Sequence, residues 1–499
     1  MTEKGAPPTL GGGANEGGSL GGRAARGVAI TLGGQGAKIL IQVASVVVLA
    51  RLLTPHDYGL IAMVIAVIGI GEIFRDFGLS SAASQAKTLS LGQRTNLFWI
   101  NTGIGLVLSI AVYLGAGVIS LVYNEDEVIP LAHALAVTFL LNGLATQYRA
   151  DLVRNLRFAA LARADVVAPA LGLVAGVTGA LLGWGYWALV AQQLSQSVAL
   201  LVMLAISARW MPRLPRRGEP MRGFLTFGGH LVTGQLIGYV SNNIDYVLIG
   251  RLFGPAQLGL YNRAFQLLMT PLSQIRSPLT TVALPVLSKL ADDPRRYSEY
   301  ISRAQLALGY TIVAGLGIVA AAAEPITRVF LGEQWLSVIP ILRLLAIAGI
   351  LQMLTFVGYW VYVSRGLTKQ LVQYTTVSAV IKIVCIVIGA RWGVVGVAVG
   401  YTIAPALSWP LSFWWLSRLT EIPTRRLYTG ALRILALVAI AGSAAWAAAL
   451  WLAAAGSVAQ IAIAAAVVAA VYVLATLVLP PVRRDVAGVV AMAKMIRSR

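Results

Sequence analysis

Two related stretches, RLLTPHDYGL at 51–60 and RLFGPAQLGL at 251–260, match at Arg, Leu, Pro, Gly and Leu and lie 200 residues apart. Further matches are separated by 208 residues: Arg157 with Arg365, and Trp184-Gly185 with Trp392-Gly393. Matches at a nearly constant separation, involving residues as uncommon as Arg, Pro and Trp, indicate an internal duplication. The alternative is chance similarity between stretches rich in Gly and Leu.

The chain around these motifs is a succession of long apolar stretches. It has 499 residues, 58% of them hydrophobic and 12% charged, with a mean hydropathy of +0.77. Soluble chains carry about 25% charged residues, and about 20 apolar residues cross a bilayer as a helix, the form that satisfies every backbone group in hydrocarbon. The sequence therefore predicts an all-α polytopic membrane protein with about fourteen transmembrane helices, at 27–52, 57–83, 97–122, 128–148, 163–182, 185–208, 224–250, 256–287, 303–323, 336–364, 370–390, 393–417, 427–452 and 457–479.

The positive charges fall in every second gap between these stretches. Of the 39 Lys and Arg residues, 29 belong to one set of gaps and the adjoining helix ends, four to the other set, and six to the spans. Cytoplasmic loops carry the excess of Lys and Arg, so both termini are predicted to be cytoplasmic. The net charge of +20 is then an orientation signal and an attraction to anionic lipid headgroups, and nucleic-acid binding is not expected.

The duplication divides the predicted helices into two lobes of six. Because six is even, both lobes start on the same side, and the repeat is parallel with its pseudo-axis along the membrane normal. The predicted segments are a disordered Gly-rich cytoplasmic tail (1–26), an N-lobe (27–208), a basic cytoplasmic linker (209–223), a C-lobe (224–417), two additional helices (418–480) and a basic cytoplasmic tail (481–499).

An enzyme is not expected, because no predicted loop is long enough to hold a catalytic domain on either side of the membrane. The three histidines are scattered and Cys385 is the one cysteine, so we expect no catalytic residues, no metal site and no cofactor.

Several segments resemble polysaccharide flippases. They are LARLLTPHDYGLIAMV (49–64), FRDFGLSSAASQ (74–85), RNLRFAALARAD (154–165) and NNIDYVLIGRLFGPAQLGLYNRAFQLLMTPLSQIRSPLTTVALPVLS (242–288). The chain is similar to the Wzx-type, lipopolysaccharide-biosynthesis branch of the multidrug, oligosaccharidyl-lipid and polysaccharide exporter superfamily, from about residue 27 to 480.

The resemblance implies two helix bundles around a cavity that opens alternately to the two sides. It also implies a lipid-linked oligosaccharide as cargo, usually a repeat unit on undecaprenyl diphosphate, and a place in the bacterial cytoplasmic (inner) membrane. Membrane lipids, a polysaccharide polymerase and glycosyltransferases of the same pathway are the further partners that it suggests.

Charged residues inside the predicted spans are the candidate site. A charge at the bilayer centre costs at least about 2.5–3.5 kcal/mol, so it faces a cavity, a partner or a substrate. The predicted spans contain six basic residues and three acidic ones, and this positive surplus suits a diphosphate. The predicted substrate-binding residues are Arg75, Arg263, Lys38, Lys382, Arg276, Asn242 and Asn243, and the predicted coupling or charge-pairing residues are Asp245, Asp76 and Glu72.

Simpler roles compete with these. Arg75 and Glu72 are three residues apart and can neutralise each other as an ion pair, and Lys38 can pair with a carboxylate on a neighbouring helix. Arg276 and Arg343 lie near helix ends and can snorkel to the interface.

Asn242, Asn243 and Asp245 can join helices by hydrogen bonds instead of binding sugar or a coupling cation. The tryptophans near predicted outer ends are expected to form an interfacial belt: Trp184, Trp187, Trp335 and Trp392. The leading hypothesis is a flippase with a cationic cavity, and the alternative is a cation-coupled small-molecule antiporter of the same superfamily.

Overall fold

The computed structural model describes residues 16–76, 90–215, 222–451 and 456–497. These residues form helices and short connections, with no β-strand among them. Eleven helical stretches of this part of the chain are long and apolar enough to cross a membrane. The prediction of an all-α polytopic membrane protein is confirmed, whereas the number of fourteen helices stays a prediction.

The helices run in chain order as follows. The first half contains α1 (Glu16–Leu52), α2 (Pro55–Asp76), α3 (Leu91–Leu114), α4 (Ala116–Tyr123), α5 (Val128–Arg154), α6 (Phe158–Leu181) and α7 (Trp187–Ala208). The second half contains α8 (Arg222–Lys289), α9 (Pro294–Leu308), α10 (Ala314–Ala321), α11 (Ala323–Phe330), α12 (Ile339–Ser364), α13 (Thr368–Gly389) and α14 (Gly393–Leu419). The additional helices are α15 (Thr424–Trp451), α16 (Ser457–Val478) and α17 (Pro480–Arg497). A π-helical turn (Gly309–Val313) and two 3₁₀ turns (Glu333–Val338 and Ala390–Trp392) complete the second half.

Several helices begin earlier than hydropathy predicts, because polar capping residues lie upstream of the apolar stretch. Ser90 and Gln93 form a capping box that starts α3 at Leu91, and the Asp293 side chain caps α9 ahead of Pro294. Conversely, the third predicted span is divided at Gly115, where α3 ends and α4 begins.

Helix occurs in both predicted tails. Helix α1 begins at Glu16, inside the tail 1–26 that was predicted to be disordered, whereas α17 covers most of the predicted basic tail 481–499, for which no conformation was predicted. The division into tails, lobes and linker stays a prediction. Glycine lowers helix propensity by about 1 kcal/mol without forbidding a helix, and extending an existing helix is easier than starting one. The remaining predictions for 1–15, 77–89, 216–221, 452–455 and 498–499 lie outside the described residues.

The predicted seventh and eighth spans are joined as α8, which contains one residue with non-helical dihedrals. Gly254 has φ 78° and ψ 178°, a backbone conformation that favours glycine. The predicted eleventh and twelfth spans are separated at Gly393, with φ 80°, between α13 and α14. These glycines allow the chain to reverse with almost no loop.

Helices of each half pack mainly with one another. In the first half α6 packs on α7 and α1, and α5 packs on α3 and α7; in the second half α14 packs on α12 and α13. Helices α15 and α16 pack on each other. The two halves meet chiefly where α2 lies along α8.

The two repeated motifs contact each other at this crossing. A Cβ atom added at Gly59 would lie 1.7 Å from the carbonyl oxygen of Pro255, and one added at Gly259 would lie 1.7 Å from the carbonyl oxygen of Pro55. The contact is reciprocal, as expected when two copies of a motif face each other across a pseudo-axis. Glycine is required at both positions because any side chain would separate the helices.

Trp335 adds a second contact between the halves, and its predicted place in an interfacial belt is wrong. The indole is fully buried, its Nε1 donates to the Ala50 carbonyl oxygen at 2.7 Å, and its ring meets the Tyr58 ring edge-on. The neighbouring Gln334 donates to the carbonyl oxygens of Ala50 and Leu53. The indole is buried because the 3₁₀ turn that carries it packs against the end of α1 and the start of α2.

Candidate functional site

A polar cavity of about 300 Å³, here called the first cavity, lies where α1, α2, α5, α6 and α7 meet α8. It contains two of the predicted basic residues, Lys38 from α1 and Arg263 from α8. Its remaining lining residues are Ile41, Gln42, Ser45, Val46, Leu49, Tyr58, Ile61, Ile65, Leu135, Pro169, Leu189, Gln192, Gln193, Gln196 and Gln266. No carboxylate is among these lining residues.

Arg263 is the buried charge of this cavity. Its guanidinium carbon lies 3.6 Å from the centre of the Tyr58 ring, and its Nη2 donates to the Asn262 side-chain oxygen at 3.1 Å. The Nε atom is buried without a hydrogen-bond partner. Among the described residues, no carboxylate lies within 4.0 Å of the charged nitrogens of Arg263 or Lys38.

Amide side chains of α7 also line the first cavity as an amide wall, and they were not predicted from the sequence. Gln192, Gln193 and Gln196 come from α7, and the Nε2 atom of Gln192 donates to the Ser45 hydroxyl at 2.6 Å. A signal was present in the sequence, because Gln192 and Gln196 are four residues apart and therefore lie on one face of a largely apolar helix. An amide both donates and accepts hydrogen bonds, as a sugar hydroxyl does.

A second cavity of about 380 Å³ lies between α8, α12, α13 and α14. It brings together three predicted residues, Asn242, Arg276 and Lys382. The Nζ atom of Lys382 donates to the Asn242 side-chain oxygen at 3.1 Å and lies 4.9 Å from the centre of the Tyr401 ring. No Asp or Glu is among its lining residues.

Arg276 faces this second cavity and does not snorkel. Its Nη2 donates to the Gln352 side-chain oxygen at 3.0 Å, and its guanidinium lies 5.5 Å from the centre of the Phe356 ring. Arg263 and Arg276 thus point into different cavities, in agreement with their separation around the helix axis. Thirteen residues along α8 place them about 20 Å apart.

Asp245 is buried behind the second cavity and does not line it. Its side chain is fully inaccessible, accepts a hydrogen bond from the Tyr261 hydroxyl at 2.7 Å, and accepts another from the Tyr246 backbone N–H. The neighbouring Asn243 donates to the Tyr239 carbonyl oxygen at 2.9 Å. In this structure Asp245 joins the two parts of α8 on either side of Gly254, Asn243 bonds within its own helical turn, and neither side chain is among the lining residues of the two cavities.

Arg75 takes part in a network that links α2 to α5. Its Nε donates to Glu72 at 2.6 Å and its Nη1 donates to the Thr146 hydroxyl at 2.6 Å. Asn142 completes the network by donating to Glu72 at 3.1 Å. Arg75 lines neither of the two cavities, and the side chain of Asp76 lies outside the described residues.

The sixth basic residue of the predicted spans, Arg343, lines a separate, largely apolar cavity beside Trp446, with its guanidinium 5.9 Å from the ring centre. Among the described residues, no three His, Cys, Asp or Glu side chains come together as metal ligands.

The site therefore consists of two cationic cavities, Lys38 with Arg263 in the first and Arg276 with Lys382 in the second. Guanidinium and ammonium groups bind phosphate oxygens through charge-assisted hydrogen bonds. The amide wall of the first cavity adds donors and acceptors for uncharged hydroxyl groups. Neither cavity offers a carboxylate as a cation ligand.

Comparison with known proteins identifies the family of the chain and its fold. Residues 48–340 match the family described as polysaccharide biosynthesis protein. The chain is 25% identical to the lipopolysaccharide biosynthesis protein WzxC of Escherichia coli K12, over 73% of this chain and 75% of the relative. It is 27% identical to the teichuronic acid biosynthesis protein TuaB of Bacillus subtilis 168, over 66% and 68% of the two chains.

Solved structures show the same fold. The lipid II flippase MurJ in an inward closed conformation superposes with a TM-score of 0.67 at 15% identity, covering 89% of this chain and 98% of that chain. An inward-facing multidrug transporter of the MATE family superposes with a TM-score of 0.59 at 16% identity, covering 80% and 95%. The predicted resemblance is confirmed: the chain belongs to the polysaccharide biosynthesis protein family and has the flippase and transporter fold of the multidrug, oligosaccharidyl-lipid and polysaccharide exporter superfamily.

Proposed function

We propose that this protein moves an undecaprenyl-diphosphate-linked oligosaccharide from the inner to the outer leaflet of the bacterial cytoplasmic membrane by alternating access. The diphosphate binds between Lys38 and Arg263, and the sugars bind along the amide wall. The polyprenyl tail stays in the lipid between the halves.

One observation carries the proposal: Lys38 and Arg263 come from different halves of the chain and share a cavity that has no carboxylate. An uncompensated positive pair is costly to keep in a membrane protein. A diphosphate supplies the missing negative charge, and the planar guanidinium of Arg263 matches phosphate oxygens in shape.

The glutamines extend the site from phosphate to sugar. Ligand cavities have volumes of about 300–1,000 Å³, so a first cavity of about 300 Å³ holds the head of the cargo. A complete oligosaccharide needs the halves to separate further. The open state is therefore wider than the present one.

Contacts at the predicted outer side keep the halves together in this structure. They are the crossing of Gly59 with Pro255 and the hydrogen bond from Trp335 to Ala50. Outward opening breaks these contacts while the cargo stays bound to its cations. A negative interior favours outward movement of an anion by about 2.3 kcal/mol per charge per 100 mV, less any protein charge that moves with it.

A cation-coupled small-molecule antiporter is the alternative, and its favouring observation is the buried carboxylate of Asp245. A coupling cation needs oxygen ligands that it can reach. Asp245 is enclosed by hydrogen bonds from Tyr261 and Tyr246, and the lining of both cavities is basic and amide-rich. The geometry therefore supports an anionic cargo more strongly than a cationic one.

A strain that lacks this gene and keeps the upstream sugar transferases tests the proposal. An undecaprenyl-diphosphate oligosaccharide is expected to accumulate on the cytoplasmic leaflet, and mass spectrometry identifies its glycan. Complementation by wild-type protein removes the accumulation, whereas the Lys38→Gln/Arg263→Gln double variant, present at equal level in the membrane, does not. Unchanged lipid-linked intermediates together with reduced drug tolerance would replace the flippase by the antiporter.

A further inference from the structure

Three arginines surround a cavity of about 600 Å³ at the predicted cytoplasmic end of α6 and α7, remote from both cationic cavities. Arg157 precedes α6, Arg163 lies on its second turn, and Arg209 follows the end of α7. All three side chains are exposed, and Met203 and Ile206 supply apolar lining. No carboxylate of the described part of the chain is among its lining residues.

The carboxylates nearest in sequence to Arg157 and Arg163 are already paired with other residues. Asp151 lies 2.7 Å from Arg94, and Asp165 is paired with Arg149. Arg157 is held in place by its Nη1, which donates to the Ser207 carbonyl oxygen at 2.8 Å. The cluster therefore presents positive charge that the described part of the protein does not neutralise.

Each helix also carries an exposed apolar stripe that ends at this cluster. On α6 the stripe is Val167, Leu171 and Val174, which continues the helical spacing of Arg163 at i+4, i+8 and i+11. On α7 it is Val198, Val202 and Ile206, followed by Arg209. From Arg163 to Val174 and from Val198 to Arg209 the helices rise about 17 Å.

This length is close to half of the roughly 30 Å hydrocarbon core of a bilayer. We infer that the surface formed by Arg157, Arg163, Arg209 and the two stripes is a binding site for an anionic phospholipid of the cytoplasmic leaflet. The phosphate lies among the three guanidinium groups, and the acyl chains follow the stripes. Arginine forks suit phosphate oxygens, and basic pockets between helices on the cytoplasmic side bind anionic headgroups.

The second half of the chain contains a related arginine that serves a different role. Arg365 occupies the position related to Arg157, yet its Nη1 donates to the Ala291 carbonyl oxygen and its guanidinium lies 4.0 Å from the Tyr297 ring centre. The second half thus uses this arginine to hold its own helices together. Only the first of the two related arginines faces an open, arginine-lined cavity.

Lipid binding to the purified full-length protein tests the inference. Native mass spectrometry measures retention of dioleoylphosphatidylglycerol and of dioleoylphosphatidylcholine by wild-type protein and by an Arg163→Gln/Arg209→Gln variant. The wild type is expected to retain the anionic lipid preferentially. The variant is expected to bind it roughly 30-fold more weakly, which is about 2 kcal/mol at about 1 kcal/mol per basic residue.

An Arg295→Gln/Lys369→Gln variant is the matched control, since it removes two exposed positive charges elsewhere and should bind the anionic lipid as the wild type does. If the double variant at the site elutes as an aggregate, Arg163→Gln alone is measured, with an expected loss of about fivefold. Any of three results would overturn the inference. The wild type could bind the two lipids equally, the site variant could bind the anionic lipid as tightly as the wild type does, or the control variant could lose as much affinity as the site variant. None of these results depends on the proposed cargo.

Discussion

Replacing Arg263 by Gln tests whether this buried charge serves transport or the stability of the fold. Arg263 is buried, and no carboxylate of the described residues neutralises it. Its substitution should therefore reduce transport without reducing stability. A structural arginine would behave in the opposite way.

The expected stability follows from the contacts of the guanidinium. The substitution removes a cation–π contact with Tyr58, worth about 2 kcal/mol when desolvated, and a hydrogen bond from the charged guanidinium to Asn262, worth about 1.5–3 kcal/mol. It also removes the desolvation penalty of a buried ion, several kcal/mol. Because these contributions are similar in size and opposite in sign, the free energy of unfolding should stay about the same.

The expected loss of transport follows from the proposed diphosphate contact. A hydrogen bond to a charged group contributes about 1.5–3 kcal/mol, so the rate of cargo movement at low cargo concentration should fall about 10- to 150-fold. Lys38 remains in the cavity and accounts for residual activity. Rates are measured in proteoliposomes with a lipid-linked oligosaccharide, and stability is measured by thermal unfolding of the same preparation.

Arg94→Gln is the matched control, because this arginine has a buried partner. It lies 2.7 Å from Asp151, and its removal leaves that carboxylate uncompensated. Breaking such a pair costs about 3–5 kcal/mol, so this variant should unfold at lower temperature and transport normally per folded molecule. The reasoning is refuted if Arg263→Gln is as destabilised as Arg94→Gln, or if it transports at the wild-type rate.

Three further predictions concern other parts of the molecule. Lys382→Gln should lower the transport rate about tenfold and change stability little. The reason is that Lys382 is a cation of the second cavity and lacks an ion-pair partner among the described residues. A transport rate equal to that of the wild type would remove the second cavity from the transport path. Gly59→Ala should lower the free energy of unfolding by about 1–3 kcal/mol, since its Cβ would meet the Pro255 carbonyl oxygen; thermal unfolding measures it. Trp335→Phe should weaken the contact between the halves by about 0.5–1.5 kcal/mol, because the substitution deletes the hydrogen bond to the Ala50 carbonyl oxygen and keeps an aromatic ring. The measurement is amide hydrogen exchange in residues 50–59, which should become faster. Unchanged exchange would contradict the prediction.

Gly36→Ala is the control for Gly59→Ala. Nothing lies within 4 Å of a Cβ atom at Gly36, so the free energy of unfolding should stay the same or rise by up to about 1 kcal/mol. If the two alanine variants unfold at the same temperature, the crossing of the repeated motifs is not tightly packed.

Hydropathy and charge were sufficient to predict the fold class, because lipid leaves the backbone few alternatives to a helix. They were insufficient for helix ends. Helix α9 begins at Pro294 because Asp293 caps it, and such caps lie in polar sequence that hydropathy counts as loop. Similarly, one apolar stretch holds both α3 and α4, since Gly115 interrupts the helix without changing hydropathy.

The site was only partly predictable for a different reason. The basic residues stand out because charge is rare in spans, but which of them share a cavity depends on packing between distant segments. Lys38 and Arg263 meet although 225 residues separate them, and Arg276 meets Lys382 across 106 residues. The ion pair of Glu72 with Arg75 could be anticipated from the sequence as an alternative to a cavity role, because that contact is local to one helix turn.

Polar residues without charge were the main omission. The glutamines of α7 line the first cavity, yet an uncharged amide does not stand out in an apolar span as a charged side chain does. Trp335 was assigned to the membrane interface from its place near a helix end, whereas the turn that carries it packs it inside the protein. Both errors arise because hydropathy describes the depth of a residue and not the direction of its side chain.

Binding of undecaprenyl diphosphate to the purified protein tests the central claim most directly. The account predicts that the Lys38→Gln/Arg263→Gln variant loses at least 100-fold in affinity for this lipid and keeps its affinity for uncharged undecaprenol, because the first cavity recognises the diphosphate. Equal affinity of the variant and the wild type for undecaprenyl diphosphate would contradict the account, since the two cations would then play no part in holding the cargo.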